Sequence, residues 1–382
     1  MASEELRMQS NIALPKELET GGPRRAARPK LSKMLSDPHL KNRFELVRSV
    51  SSQVRSSEYH LTNACNIRCD GCWFFSLDFD RKTEEPSDIK RWKEFAREQA
   101  ETGVTAALLI GGEPTLFPAR VEAFQAQMQF VTISTNGLLP FPESGFEDVA
   151  VALSLFGGVG ADDKLRAIRP SGSKFEGLFD TALANYRGDP RATFIYALDV
   201  KSPHLIRETV DRISENGNLV SYNYYSDYGH AASPADRGAE QVLLEEALLV
   251  AEDFPGVVLS HPYYTQALIT GRTAWGRFGY ESCPSISVDH PDHEERLKNG
   301  KPTLTGFNAY TADTKQLAFC CTSGSCETCR DSQAVHSWLM TNIREFMRAD
   351  DLRTWVEISE SYWSQFVWSP FHEKRATANL AQ

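Results

Sequence analysis

The chain has 382 residues, 41% of them hydrophobic, and a formal net charge of −10, which suits a soluble globular protein with one large domain and a smaller one appended. The excess of acid argues against a nucleic-acid-binding surface, which draws on clustered Lys and Arg. No apolar run approaches the roughly 18 residues that span a bilayer, so neither nucleic acid nor a membrane is an expected partner and a cytoplasmic location is expected.

In chain order, GGPRRAARPKLSK (residues 21–33) is a run of basic residues with no acid and no following apolar stretch, so it is no secretory signal. Residues 1–45 are expected to form a mobile basic N-terminal tail. EYHLTNAC (58–65) predicts a strand entering a loop, and SDIKRWKEFAREQAETG (87–103) predicts a helix with Ser87 as N-cap and a stop at Gly103. Strand TAALLI (105–110), helix PARVEAFQAQM (118–128), strand QFVTIST (129–135) and strand VAVALSLF (149–156) follow. Helix KFEGLFDTALANYRG (174–188), strand ATFIYALDV (192–200), helix SPHLIRETVDRISENG (202–217) and strand LVSYNYY (219–225) continue the rhythm. About six alternations predict an α/β fold, a partial TIM-like (β/α)6 barrel over residues 50–235, with its chemistry where strands end and loops begin.

From residue 240 the pattern changes. Helix EQVLLEEALLVAEDFPG (240–256) and a strand-like VVLSHPYY (257–264) lead into a stretch rich in Gly, Pro and Cys (271–330) with short hairpin-like pieces, and residues 334–366 have helical character. A C-terminal module is expected over residues 236–382, ending in helices.

The chain has eight cysteines; in a reducing compartment these point to metal or catalysis rather than disulfides. Three of them crowd into ACNIRCDGCWFF (64–75): Cys65, Cys69 and Cys72. Soft thiolates in one loop select zinc, copper(I) or an iron–sulfur cluster. With three local ligands the set is one short of closure, which leaves a coordination position for something else; a structural zinc loop that borrows a distant ligand, His60 among the candidates, is the plainer alternative. GGEPTLFP (111–118) follows the next strand directly. Its glycines permit close approach of the backbone to a ligand, and Glu113 offers a carboxylate to an ammonium group. STNG (134–137) and LSLFGG (153–158) end the next two strands, so all these loops fall on one predicted rim.

Over residues 58–229, the Cys-x3-Cys-x2-Cys spacing together with GGEP resembles the radical S-adenosylmethionine (SAM) superfamily. That resemblance implies a four-iron, four-sulfur cluster held by Cys65, Cys69 and Cys72, with the fourth iron chelated by SAM, so that the missing ligand is the cofactor. It further implies reductive cleavage of SAM to methionine and a 5′-deoxyadenosyl radical that abstracts a substrate hydrogen, fed by an electron donor such as flavodoxin or ferredoxin. Carried over, Gly111, Gly112 and Glu113 would receive the methionine amino group, Thr135 and Asn136 would line the site, and Ser154 would contact ribose or carboxylate. Arg166, or second to it Arg169, would pair with the SAM carboxylate, for which a guanidinium is suited; Asn223 on the sixth strand is a further candidate. Two positions depart from the family pattern. Gly71 stands where an aromatic residue commonly precedes the third cysteine, with Trp73 just beyond it, and the Gly-rich segment of the fifth strand is missing from ATFIYALDV.

The second cysteine group, Cys283, Cys320, Cys321, Cys326 and Cys329, resembles the twitch or SPASM-type modules of some members. This implies a second 4Fe–4S cluster held by Cys283, one of Cys320 or Cys321 with Cys320 preferred, Cys326 and Cys329; a tetrahedral zinc site from the same residues is the rival. No early segment resembles a compact peptide-recognition domain, so a small-molecule substrate is expected. A peptide-modifying enzyme and a non-catalytic metal-stabilised binding protein are the alternatives.

Overall fold

The computed structural model describes residues 31–76, 78–225, 237–273, 276–277, 309–318, 330–346 and 351–373. Six strands, β1 (Ser56–Thr62), β2 (Ala106–Gly111), β3 (Phe130–Thr135), β4 (Val149–Phe156), β5 (Ala192–Leu198) and β6 (Leu219–Tyr224), pair in parallel and in chain order. Parallel neighbours need long crossovers, and helices supply most of them: α2 (Ile89–Glu101) after β1, α3 (Pro118–Gln125) after β2, α4 (Ala161–Arg166) and α5 (Leu178–Asn185) after β4, and α6 (Ile206–Glu215) after β5. The α/β partial-barrel fold predicted from the βα rhythm is what forms.

Each strand is apolar on the face that meets the helices, where Leu109, Ile133, Val151, Leu153, Phe194 and Tyr196 are buried. The opposite face, with Leu108, Ile110, Ser134, Ala152 and Ser154, is only partly covered and encloses a chamber. This period-2 division fixes the register of every strand. Helix α2 shows why its sequence folds locally. Trp92, Phe95, Ala96 and Gln99 are buried at helical spacing, and Gly103 beyond its end takes φ +94°. Its N-cap is Asp88, whose side chain accepts the Lys90 N–H at 2.9 Å, and not Ser87 as expected; the carboxylate is the stronger acceptor at that position.

Residues 257–264 do not form a strand. Val258 makes a single parallel bridge to Val220 beside β6, and Pro262, fitted to a first helical turn, opens a helix instead. That helix, α8 (Pro262–Thr270), follows α7 (Arg237–Asp253) and precedes a two-residue hairpin, β7 (Arg272–Thr273) with β8 (Gly276–Arg277). Strands β9 (Ala309–Tyr310) and β10 (Leu317–Ala318) form the hairpin expected before the late cysteines, and β9 pairs in parallel with β1, extending the barrel sheet. Helices α9 (Ser332–Thr341) and α10 (Asp351–Ser364) bring Gln333, Tyr362, Gln365 and Phe366 against the chamber.

Residues 38–45, expected in a mobile tail, belong instead to helix α1 (Pro38–Gln53). Leu40 and Phe44 are buried, Phe44 packs on Trp355 of α10 with ring centroids 5.7 Å apart, and Arg43 grips both oxygens of Glu360 at 2.9 and 2.6 Å. Two apolar anchors and a bidentate ion pair hold that turn in place.

Candidate cofactor site

The loop after β1 carries the three early cysteines, and it is tied to its surroundings chiefly by backbone. The Arg68 and Asp70 amides donate to the Ile168 and Leu165 carbonyls, each at 2.7 Å, and the Gly112 and Glu113 amides donate to the Thr62 and Ala64 carbonyls, each at 2.8 Å. Gly112 is required by that approach: a Cβ there would stand 2.0 Å from the Ala64 carbonyl oxygen. Gly111 takes φ +111°, a conformation that favours glycine. The two glycines of GGEP thus serve to seat the cysteine loop on β2.

Glu113 is buried and fastens its own turn to the loop after β3. Its Oε1 accepts from the Thr115 amide (3.1 Å), the Thr115 hydroxyl (2.7 Å) and the Thr135 hydroxyl (2.7 Å), and its Oε2 accepts from the Asn136 amide at 2.9 Å. Burial raises its pKa and these donors oppose the rise. Asn136 in turn donates from Nδ2 to Asn66 at 2.7 Å and lies 4.0 Å from the Cys65 sulfur.

Arg166 was expected to contact a carboxylate. The structure buries it, with Nη1 donating to Asp162 at 3.0 Å and to the Ser154 carbonyl, and with its charge beside the Cys69 thiol. Its Nε and the second oxygen of Asp162 are buried without a hydrogen-bond partner among the described residues. Arg169 sits elsewhere, over the Phe175 ring at 4.7 Å, and does not line the chamber.

One chamber collects the predicted residues. Cys65, Cys69, Cys72, Gly111, Gly112, Glu113, Thr135, Asn136, Ser154, Arg166 and Asn223 all line a space of about 2000 Å³, open solvent at its mouth included. Gly71 and Trp73 line it as well, so the aromatic ring missing from position 71 is present two residues on. Asn223 spends its side-chain oxygen on the neighbouring Tyr224 amide at 2.8 Å. Sequence reasoning missed the chamber's other polar lining, Glu58, Asp331, Gln333 and Gln365, because no local motif marks it. It also missed Glu85, which accepts the Asn63 amide at 2.6 Å and pairs with Arg120 at 3.4 Å, bracing the cysteine loop from behind.

The donor set can be tested against the group it is expected to hold. Cys65, Cys69 and Cys72 are free thiols. Burial pushes Cys65 up to about 12 and Cys69 to about 11, and raises Cys72; a cationic iron centre would reverse that cost. Among the described residues, no three Cys, His, Asp or Glu side chains converge closely enough to hold one metal ion. Three free thiols lining one chamber are the soft donor set an iron–sulfur cluster takes. His60 is no fourth ligand to them. It is buried among Trp73, Phe74 and Phe79 with ring centroids 5.5, 5.2 and 4.9 Å away, and burial lowers its pKa to about 3. Cys283, Cys320, Cys321, Cys326 and Cys329 lie outside the described residues.

A parallel partial barrel brings three thiols, a clamped acid and a buried arginine around one chamber at the strands' C-terminal rim, where such folds place their chemistry. Residues 59–177 match the family model of the Radical SAM superfamily; that segment carries every early cysteine, GGEP and Arg166, and SAM and a 4Fe–4S cluster are the cofactors the family model implies for it. No curated protein matches the chain. Among solved structures it is similar to Streptococcus suis SuiB bound to precursor peptide SuiA, at 16% identity and TM-score 0.47 over 88% of this chain and 75% of that one. It is also similar to native anSMEcpe with bound AdoMet, at 13% identity and TM-score 0.47 over 84% and 90%. With Streptococcus suis SuiB bound to S-adenosylmethionine the match has 17% identity and TM-score 0.42, over 59% of this chain and 56% of that one, so the chain spans little more than half of that relative's length. No helix among the described residues is long and apolar enough to cross a membrane.

Proposed function

We propose that the protein abstracts a hydrogen atom from a small-molecule biosynthetic intermediate held in the chamber below the cysteine loop, and that Cys65, Cys69 and Cys72 hold the cluster. When bound, the cluster and SAM supply a 5′-deoxyadenosyl radical generated by one-electron reduction. The chain's part is binding and aim. Glu113 has three donors on Oε1 and one on Oε2, so Oε2 is the less engaged oxygen and the one that would receive the methionine ammonium, next to the Gly111–Gly112 backbone. Arg166 presents an unpaired Nε to the SAM carboxylate, while Asp162 and the Ser154 carbonyl keep its fork from turning. Thr135 and Asn136 take part by fixing Glu113, and Ser154 and Asn223 lie along the wall for ribose or adenine.

The observation that carries this proposal is the gathering of three thiols, Glu113 and Arg166 around one chamber. Residues of α9 and α10 line that chamber beside the strands and narrow it, which supports a small molecule over a long peptide. We also propose that residues 50–235 act as the barrel unit and 236–382 as an appended module. Cys283, Cys320, Cys326 and Cys329 would hold a second cluster there, a reading supported by hairpin β9–β10 ending at Ala318, just before Cys320. Anaerobic reconstitution followed by SAM and dithionite should yield 5′-deoxyadenosine and about eight irons per chain, the sum of two cubanes. Absence of the nucleoside, or its undiminished formation after Cys65, Cys69 and Cys72 are changed to alanine, would overturn the functional proposal; about four irons and one zinc would overturn the second cluster alone.

A further inference from the structure

Glu58 lies in the middle of β1, in register with Leu108 of β2, which pairs in turn with Thr132 of β3. All three line the chamber. The layer they form is four residues before the end of β1 at Thr62, about 13 Å below the rim at ~3.3 Å per residue, and well clear of the cysteine loop. A strand interior that faces a barrel is ordinarily apolar, so an acid there needs a partner.

Glu58 has none among the described residues. No hydrogen bond or ion pair reaches its carboxyl group among the described residues, and the one neighbouring charge that acts on it is that of Asp331, which is like in sign. Asp331 lines the same chamber as the N-cap of α9, its Oδ1 accepting the Gln333 and Ala334 amides at 3.0 and 3.2 Å. Among the described residues the chamber's lining includes one basic side chain, Arg166, and that is engaged by Asp162. An acid unmatched by any cation among the described residues, with a second acid lining the same chamber, is a position suited to a cation brought from outside.

We propose, taking the chamber to be the substrate site as above, that Glu58 is the specificity-determining residue and that it recognises an ammonium or guanidinium group on the substrate, with Asp331 reinforcing the negative potential. Such a contact would hold the far end of the substrate and set which C–H bond stands beneath the cofactor. Burial, and after it the Asp331 charge, raises the Glu58 pKa to about 8; a bound cation would pull it back down. Gln333 and Gln365 from α9 and α10 add neutral donors and acceptors at the same end.

The test is ligand-observed saturation-transfer NMR on the reconstituted holoenzyme with SAM and no reductant, using n-butylammonium, n-butanol and n-butyrate as probes of equal length. The ammonium is expected to bind at least about tenfold more tightly than the alcohol, with no detectable binding of the carboxylate, because one member of a desolvated charge pair is at stake. Glu58→Gln should reduce the ammonium to the level of the alcohol, and Glu58→Asp should restore part of the preference. N-acetyl-lysine methylamide presents the same cation on a peptide unit; its affinity relative to butylammonium distinguishes a peptide residue from a free amine as the source. Equal binding of the three butyl probes to the wild-type protein, or an ammonium preference unchanged in Glu58→Gln, would overturn the proposal. The comparison on the wild-type protein needs no variant to fold. Failure of that same preparation to form 5′-deoxyadenosine on reduction would instead strike the functional proposal, since probe binding does not depend on radical chemistry.

Discussion

Replacing Glu113 separates a structural clamp from a simple ligand. In Glu113→Ala the two hydroxyl donors, Thr115 and Thr135, can rotate toward other acceptors, but the backbone amides of Thr115 and Asn136 stay where the strands put them. Each buried donor left unsatisfied costs about 1–3 kcal/mol, so two give a loss of roughly 2–6 kcal/mol before relaxation. Glu113→Gln keeps the shape. With its carbonyl oxygen toward the three donors now on Oε1, its NH2 group faces the Asn136 amide donor to donor; flipped, it faces three donors instead. The first arrangement wins and costs one broken pair, about 1–3 kcal/mol. Urea unfolding of the metal-free protein therefore should rank wild type above Glu113→Gln above Glu113→Ala, with SAM affinity of the reconstituted protein falling in both variants. If Glu113→Gln proved as stable as the wild type, or less stable than the alanine variant, the four-donor clamp would be wrong.

Further predictions concern buried charge. His60 has both ring nitrogens buried without partners, so His60→Phe should leave iron content unchanged and raise stability by about 1–3 kcal/mol; loss of metal on this change would return His60 to the ligand set. Because its folded pKa is depressed to about 3, wild-type stability should fall as pH drops from about 6.5 toward 3, and the Phe variant should lose that component. Arg166→Ala strands Asp162 as an unpaired buried charge and should cost about 3–5 kcal/mol, whereas Arg166→Ala combined with Asp162→Asn should recover much of it in the same urea assay. Glu58 has a folded pKa raised from 4.5 to about 8, so its contribution to stability is fully present below about pH 4.5 and is lost as pH rises through 8. Unfolding free energies measured across that window should show this loss in the wild type and a flatter profile in Glu58→Gln.

The barrel strands were legible because two faces with different demands write a period of two into the chain, as in VAVALSLF, where Val149, Val151, Leu153 and Leu155 are buried against helices and Ala152, Ser154 and Phe156 face the chamber. Boundaries set by competition were not. Ser87 and Asp88 are both acceptable caps, and only the hydrogen bond to Lys90 decides between them. Helix α1 looked like the end of a basic tail because what orders it, Trp355 and Glu360, lies at the other end of the chain. VVLSHPYY has the β-branched residues of a strand, yet Pro262 begins a helix and leaves Val258 a single bridge.

The same distinction between local and distant causes divides the site. Cofactor-side residues announce themselves in short motifs because each loop must solve its own backbone problem. Gly112 has to clear the Ala64 carbonyl, and Glu113 has to meet donors from its own turn and from the adjacent strand end. The other end of the chamber has no such constraint. Glu58 is one acid in an otherwise ordinary strand, and Asp331 is one cap in front of a helix; neither is unusual until the fold sets them across the same space. The rim loops are bound to one another through Glu113 and the cysteine loop and cannot vary singly. Positions such as 58 and 331 can, because no backbone hydrogen-bond network of the rim passes through their side chains. Specificity in this protein should therefore be sought where the sequence carries no motif, and substitutions at those two positions should change which molecule binds before they change how SAM is held.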